Sequence, residues 1–223
     1  MNMEETNEWE KESDNRESIS FCRLICNIAG ILYIGIQFFH PEDNLSSVNT
    51  NIWVIVASLT IAMSIFSLIG ILGIYIRQAE ETGWLGLVGF VTFSLFWLAS
   101  MSLSFTEAFV LPLLTNDAPN FVNGILGIFG GTKSDVEFGI FPILAPLAGG
   151  LYMLGGILLG IATLRAGVFP RMSGALLAFS AVVTLAAAII PHPFDRILAI
   201  PMGIALIWLG SILFSGRERS PGK

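Results

Sequence analysis

The chain has 223 residues, of which 54% are hydrophobic and 13% charged, with a mean hydropathy of +0.75. That composition excludes an ordinary soluble domain and makes the bilayer the solvent. The formal net charge of −6 is mostly one segment: residues 1–17 carry seven acids, from Glu4 to Glu17, against Lys11 and Arg16. An acidic tail repels phosphate, so nucleic acid is excluded as a partner.

In chain order, residues 1–20 have too little apolar surface to offset the entropy of ordering and read as a disordered acidic cytoplasmic tail. The tail lacks the basic opening of a signal peptide. Cys22 and Cys26 follow, four apart, a spacing of neither a redox CxxC pair nor a zinc knuckle; they read as small apolar residues, with acylation of a juxtamembrane thiol as the alternative.

Six continuous apolar runs then follow, at about 21–39, 52–76, 85–107, 140–164, 172–190 and 197–214. About 20 residues at 1.5 Å each cross about 30 Å of hydrocarbon, and a continuous run with no alternation implies helix. The expected fold is therefore all-α: a polytopic bundle of six transmembrane helices over 21–214, with 215–223 as a basic tail. With the N-terminus inside, nine Lys and Arg residues fall on the cytoplasmic side, and only Lys133 and Arg196 fall outside. This asymmetry sets the expected orientation, both termini cytoplasmic in a multi-pass protein of the cell membrane.

Two hairpins echo each other: "GILGIYIRQAEETGWLGLVGF" at 70–90 and "GILLGIATLRAGVFPRMSGALLAF" at 156–179. Each has glycines, an arginine at the cytoplasmic mouth, a short turn and a new apolar run. With its "LRAGVFPRMSG" turn between the fourth and fifth runs, the chain resembles a group of six-helix integral membrane proteins of bacteria and archaea that have no known activity. That resemblance is clearest over 150–214 and implies the architecture alone.

Within the fourth run, Gly149, Gly150, Gly155, Gly156 and Gly160 suit close helix packing, with Gly156 and Gly160 forming a GxxxG face. Pro142, Pro146 and Pro201 are expected to kink their helices. Thr60, Ser64 and Ser67 form one hydroxyl stripe, and Ser100, Ser104 and Glu107 form another, suited to contacts between helices.

Glu107 is the one carboxylate embedded in an apolar run, and an intramembrane acid is a functional hypothesis by default. Measured along the helix from Trp84 it lies about 35 Å up, at the outer hydrocarbon boundary. The topology brings His40, Glu42, Asp43, His192 and Asp195 to the same outer layer. Each histidine is followed by a proline, in "FFHPED" and "PHPFDR". This reads first as helix termination in a wet interface, with a divalent-metal site as the alternative. The loop 115–139, with "APNFVNGILGIFGG", reads as a surface connector, a re-entrant turn or a lid over that layer.

No catalytic constellation is apparent and no cofactor is expected. The leading functional reading is a non-enzymatic accessory, sensor or immunity-type membrane protein. It would act in the lipid bilayer as a homo-oligomer or with a partner membrane protein. A small-molecule or ion transporter is the first alternative, and an intramembrane metal-dependent hydrolase with an outer-face site is the second.

Overall fold

A computed structural model describes residues 3–130, 136–184 and 194–213, with side-chain surroundings for 20–128, 136–184 and 196–213. Among the described residues the chain is all-helical, and three helices are long and apolar enough to cross a membrane: Ser20–Phe39, Asn51–Leu114 and Phe141–Ala166. The elements are α1 (Met3–Phe39), α2 (Leu45–Val48), α3 (Asn51–Phe105), α4 (Leu111–Leu114), α5 (Pro119–Gly130), α6 (Phe141–Ala166), α7 (Arg171–Val183) and α8 (Ile200–Ile212). A single π turn, Thr106–Val110, joins α3 to α4, and a 3-10 segment, Phe194–Ala199, leads into α8.

Helix α1 begins at Met3, so its bounds take in residues of the acidic segment as well as the first apolar run. Glu, Lys and Arg are good helix formers, and propagation from a helix already nucleated by the apolar run avoids the costly first turn.

Helix α3 has 55 residues, but Gly83 interrupts it with φ 53° and ψ −144°. The contacts that follow show a hairpin. Tyr75 stacks on Phe90 at 4.7 Å, Ser64 Oγ lies 3.1 Å from Ser100 Oγ, and Thr115 Oγ1 donates to Asn49 Oδ1 at 2.7 Å. Positions before Gly83 thus pair with positions after it, in antiparallel order along the whole length. A residue with a Cβ is strained in the Gly83 conformation, so Gly83→Ala should cost about 1–3 kcal/mol. Chemical unfolding in mixed micelles would read this, and an unchanged midpoint would mean that the turn tolerates another geometry. The second hairpin, α6 to α7, also turns on a left-handed glycine, Gly167 at φ 67°.

Helices pack where glycines let backbones meet. A methyl at Gly30 would lie 2.5 Å from the Gly203 carbonyl oxygen, which seats α1 on α8. Gly89 faces Leu159 and Gly155 faces Phe93 in the same way, which seats the second half of α3 on α6. Gly156 abuts Ala181 and Gly160 abuts Ala178, both on α7. Gly149 and Gly150 differ: a methyl there would meet open space. Cys26 packs between Gly70 and Gly210 and its thiol donates to the Leu206 carbonyl at 3.3 Å, while Cys22 packs on Gly73.

The prolines also depart from expectation. Pro142 and Pro201 occupy the first turn of α6 and α8, where a missing N–H costs nothing, and only Pro146 lies inside a helix. Of the two hydroxyl stripes, Ser64 and Ser100 meet across helices, whereas Thr60 donates to its own helix at Val56 and the Ser67 hydroxyl is buried without a partner.

Two apolar cores result. The larger fills the bundle, from Cys26, Ile71 and Ile74 through Phe93, Trp97 and Leu159 to Leu206 and Leu209. The smaller joins Val48, Trp53, Leu111, Val122, Ile125 and Leu126 at one end. That end carries Glu107. The opposite end carries the turns at Gly83 and Gly167 and the Gln78 Nε2 to Thr163 Oγ1 hydrogen bond of 2.8 Å.

Candidate functional site

The site is assembled by helix ends. Helix α1 stops at Phe39; the His40 N–H makes a last helical bond to the Ile36 carbonyl at 3.0 Å, and Pro41 cannot continue the helix. Asn44 then caps α2, its side-chain oxygen accepting from the Ser47 N–H at 2.9 Å. Thr50 caps α3 in turn, with Oγ1 accepting from the Trp53 N–H at 3.3 Å. This cap fixes Trp53 in the first turn of α3, where its ring is 2% exposed.

Trp53 ties the end together. Its ring meets that of His40 edge-on at 6.2 Å, and its indole Nε1–H donates to the Glu107 carbonyl at 2.9 Å. The reason that carbonyl is free lies in the π turn. The Leu111 N–H, which an α-helix would aim at the Glu107 oxygen, bonds instead to the Thr106 oxygen. The next residue, Pro112, has no N–H to give. A buried carbonyl without a donor is costly, and the indole supplies the donor.

Glu107 itself is half-buried, and its backbone carbonyl accepts the Trp53 indole N–H. It lines a cavity of about 20 Å³ with Leu103, Thr106, Ile125, Ile128, Phe141 and Leu144. That volume is enough for about one water molecule. Ile125 and Ile128 belong to α5, so the loop expected at 115–139 contains a helix that covers the site as a lid would. Asp43 and Arg196 stand close enough for their charges to act on Glu107. These two pair at 4.0 Å, and the Arg196 Nε is buried without a partner.

A second, larger cavity of about 130 Å³ adjoins the first. Ala99, Ser102, Leu103, Leu144, Leu147, Ala148 and Leu151 line it, so Leu103 and Leu144 are common to both.

Of the residues singled out from sequence, His40 and Glu107 are brought together through Trp53. His192 and the side chain of Asp195 lie outside the described residues. Among the described residues no three His, Cys, Asp or Glu side chains stand close enough to hold a metal ion. Trp53 and Arg196 were not among the expected site residues. The Thr50-x-x-Trp53 cap and the preference of tryptophan for the membrane interface were the signals in the sequence that pointed to Trp53. Comparison with protein-family models, curated proteins and solved structures finds no match for the chain.

Proposed function

We propose that this chain is a non-enzymatic, multi-pass membrane protein of the accessory or sensor kind, crossing the cell membrane six times. Both termini are cytoplasmic, and the Glu107 end faces outward as the recognition site. The two halves of α3 on either side of Gly83 supply two crossings, α1 and α6 supply two more, and the runs containing α7 and α8 supply the last two. Arg77 and Arg165 stand near the Gly83 and Gly167 turns, at the end opposite Glu107, in keeping with a positive cytoplasmic side.

The observation that carries the non-transporting reading is the filling of the bundle's middle. Trp97 and Phe93 are fully buried, and the rings of Tyr33, Phe93, Phe96, Trp97 and Tyr152 meet at 4.8 to 6.1 Å. Close-packed interiors shift between discrete arrangements, so a plug of five rings, flanked by glycine-tight seams, opposes a path from one face to the other.

Proteoliposomes loaded with a pH-sensitive dye and driven by a potassium diffusion potential test this directly. The expected proton flux equals that of protein-free vesicles. Flux above that level, abolished by Glu107→Gln, would make the transporter reading the better one.

A further inference from the structure

Three separate elements bring charge to the Glu107 end: the π turn brings Glu107, the connection between α1 and α2 brings Asp43, and the 3-10 segment before α8 brings Arg196. Among the described residues Arg196 is the only lysine or arginine at that end. Its Nη2 lies 4.0 Å from Asp43 Oδ2, the long limit of an ion pair, and its Nε is enclosed without an acceptor. The guanidinium is therefore committed fully to neither carboxylate, although its charge and that of Asp43 both act on Glu107.

Glu107 has little else to hold its charge. Leu103, Ile125, Ile128, Phe141 and Leu144 wall its cavity, and the Thr106 hydroxyl donates to the Ser102 carbonyl at 3.2 Å. Among the described residues no other donor reaches the carboxylate. An ionised carboxylate beneath an apolar helix is costly, and a neutral carboxyl much less so. The surrounding helices bring no rival group. Helix α5 and the second half of α3 have no titratable residue, and α6 has only Tyr152 and Arg165, both far along the helix from Phe141 and Leu144. From the α1–α2 connection, Glu42 is exposed and accepts from Asn44 Nδ2 at 3.3 Å, and His40 Nδ1 lies 2.8 Å from the Pro41 carbonyl oxygen. Asp117 and Glu137 are exposed at the same end, and the side chain of Asp195 lies outside the described residues.

We infer that the Glu107 end is a proton-operated latch. With Glu107 ionised, Arg196 is shared between Asp43 and Glu107; when Glu107 takes a proton from the outer solvent, Arg196 passes to Asp43 alone and α5 seats more firmly over the neutral carboxyl. The inference rests on the sensor reading above and deepens it, naming the proton as what the outward end responds to.

Amide hydrogen exchange of the full chain in lipid nanodiscs, corrected for the intrinsic exchange rate, tests it between about pH 8 and about pH 5. Helix α5 should be roughly tenfold better protected at the acid end, the bias one proton gives when one state binds it about ten times more tightly than the other. Glu107→Gln should show the acid level of protection across the whole range. Asp43→Asn leaves Arg196 to Glu107 alone and should move the midpoint of the transition to lower pH, while Arg196→Gln should move it to higher pH. These opposite movements report charge, so a general loss of stability does not imitate them. Protection of α5 that is constant across the range in wild type overturns the inference. So does a pH dependence that survives Glu107→Gln, as it would were His40 the group, or two midpoints that move together. Proton flux into vesicles would end the non-transporting reading and leave the exchange profile as it is, whereas a flat profile without flux would end the inference alone.

Discussion

Gly155→Ala should destabilise the bundle by about 1–3 kcal/mol, whereas the same methyl at Gly149 or Gly150 should be neutral or should gain up to about 1 kcal/mol. At Gly155 the new Cβ would lie 2.5 Å from both the backbone nitrogen and the Cα of Phe93, and 2.7 Å from its Cβ. None of these atoms can rotate away, so α6 must shift from α3. The shift would propagate, because Gly89 makes the reciprocal contact about one turn lower, against the Leu159 backbone. It would also loosen Phe93 against Trp97 and Tyr152, whose rings lie 5.5 and 5.9 Å away. At Gly149 and Gly150 nothing stands within 4 Å, and alanine only improves helix propensity. The measurement is the midpoint of denaturation in mixed micelles for the three variants side by side. If all three moved together, glycine would be acting through helix propensity alone and the seam would carry no special closeness.

That contrast marks the limit of what the sequence discloses. Five glycines in "AGGLYMLGGILLG" look alike as letters, and all five suit close packing. Three of them meet a neighbour and two do not, because the meeting depends on where α3 and α7 cross α6. Apolar length and the absence of alternation, by contrast, are requirements of a single segment, so the all-helical character and the apolar helices could be read directly. The site was legible in part for the same reason. Glu107 stands out as a charge in an apolar run, and His40 stands out at a helix end. Their common partner did not, since Trp53 is 54 positions from Glu107 and the hydrogen bond between them exists only because of the π turn.

Trp53→Phe should cost about 1–3 kcal/mol, concentrated at the Glu107 end of the molecule. The phenyl ring retains most of the apolar contact with Val48, Leu111 and Val122 but has no N–H. The Glu107 carbonyl would then lack the Leu111 N–H, which bonds to Thr106, the Pro112 N–H, which does not exist, and the indole donor. The local remedy is to collapse the π turn into regular α-helix, which would return the Leu111 N–H to Glu107 and rotate every later residue by about 100°. That rotation would carry Leu111 and Leu114 off the smaller core and loosen α5 from its seat. Trp53→Ala should do worse, about 3–5 kcal/mol, because a cavity is added to the lost bond. Amide hydrogen exchange separates the two levels: Trp53→Phe should raise exchange in α4 and α5 while the bundle seams at Gly30, Gly89 and Gly155 stay protected. Faster exchange at those seams as well would mean that the Glu107 end and the bundle unfold as one unit. Unchanged exchange in α4 and α5 would mean that the indole hydrogen bond does not hold the π turn in place.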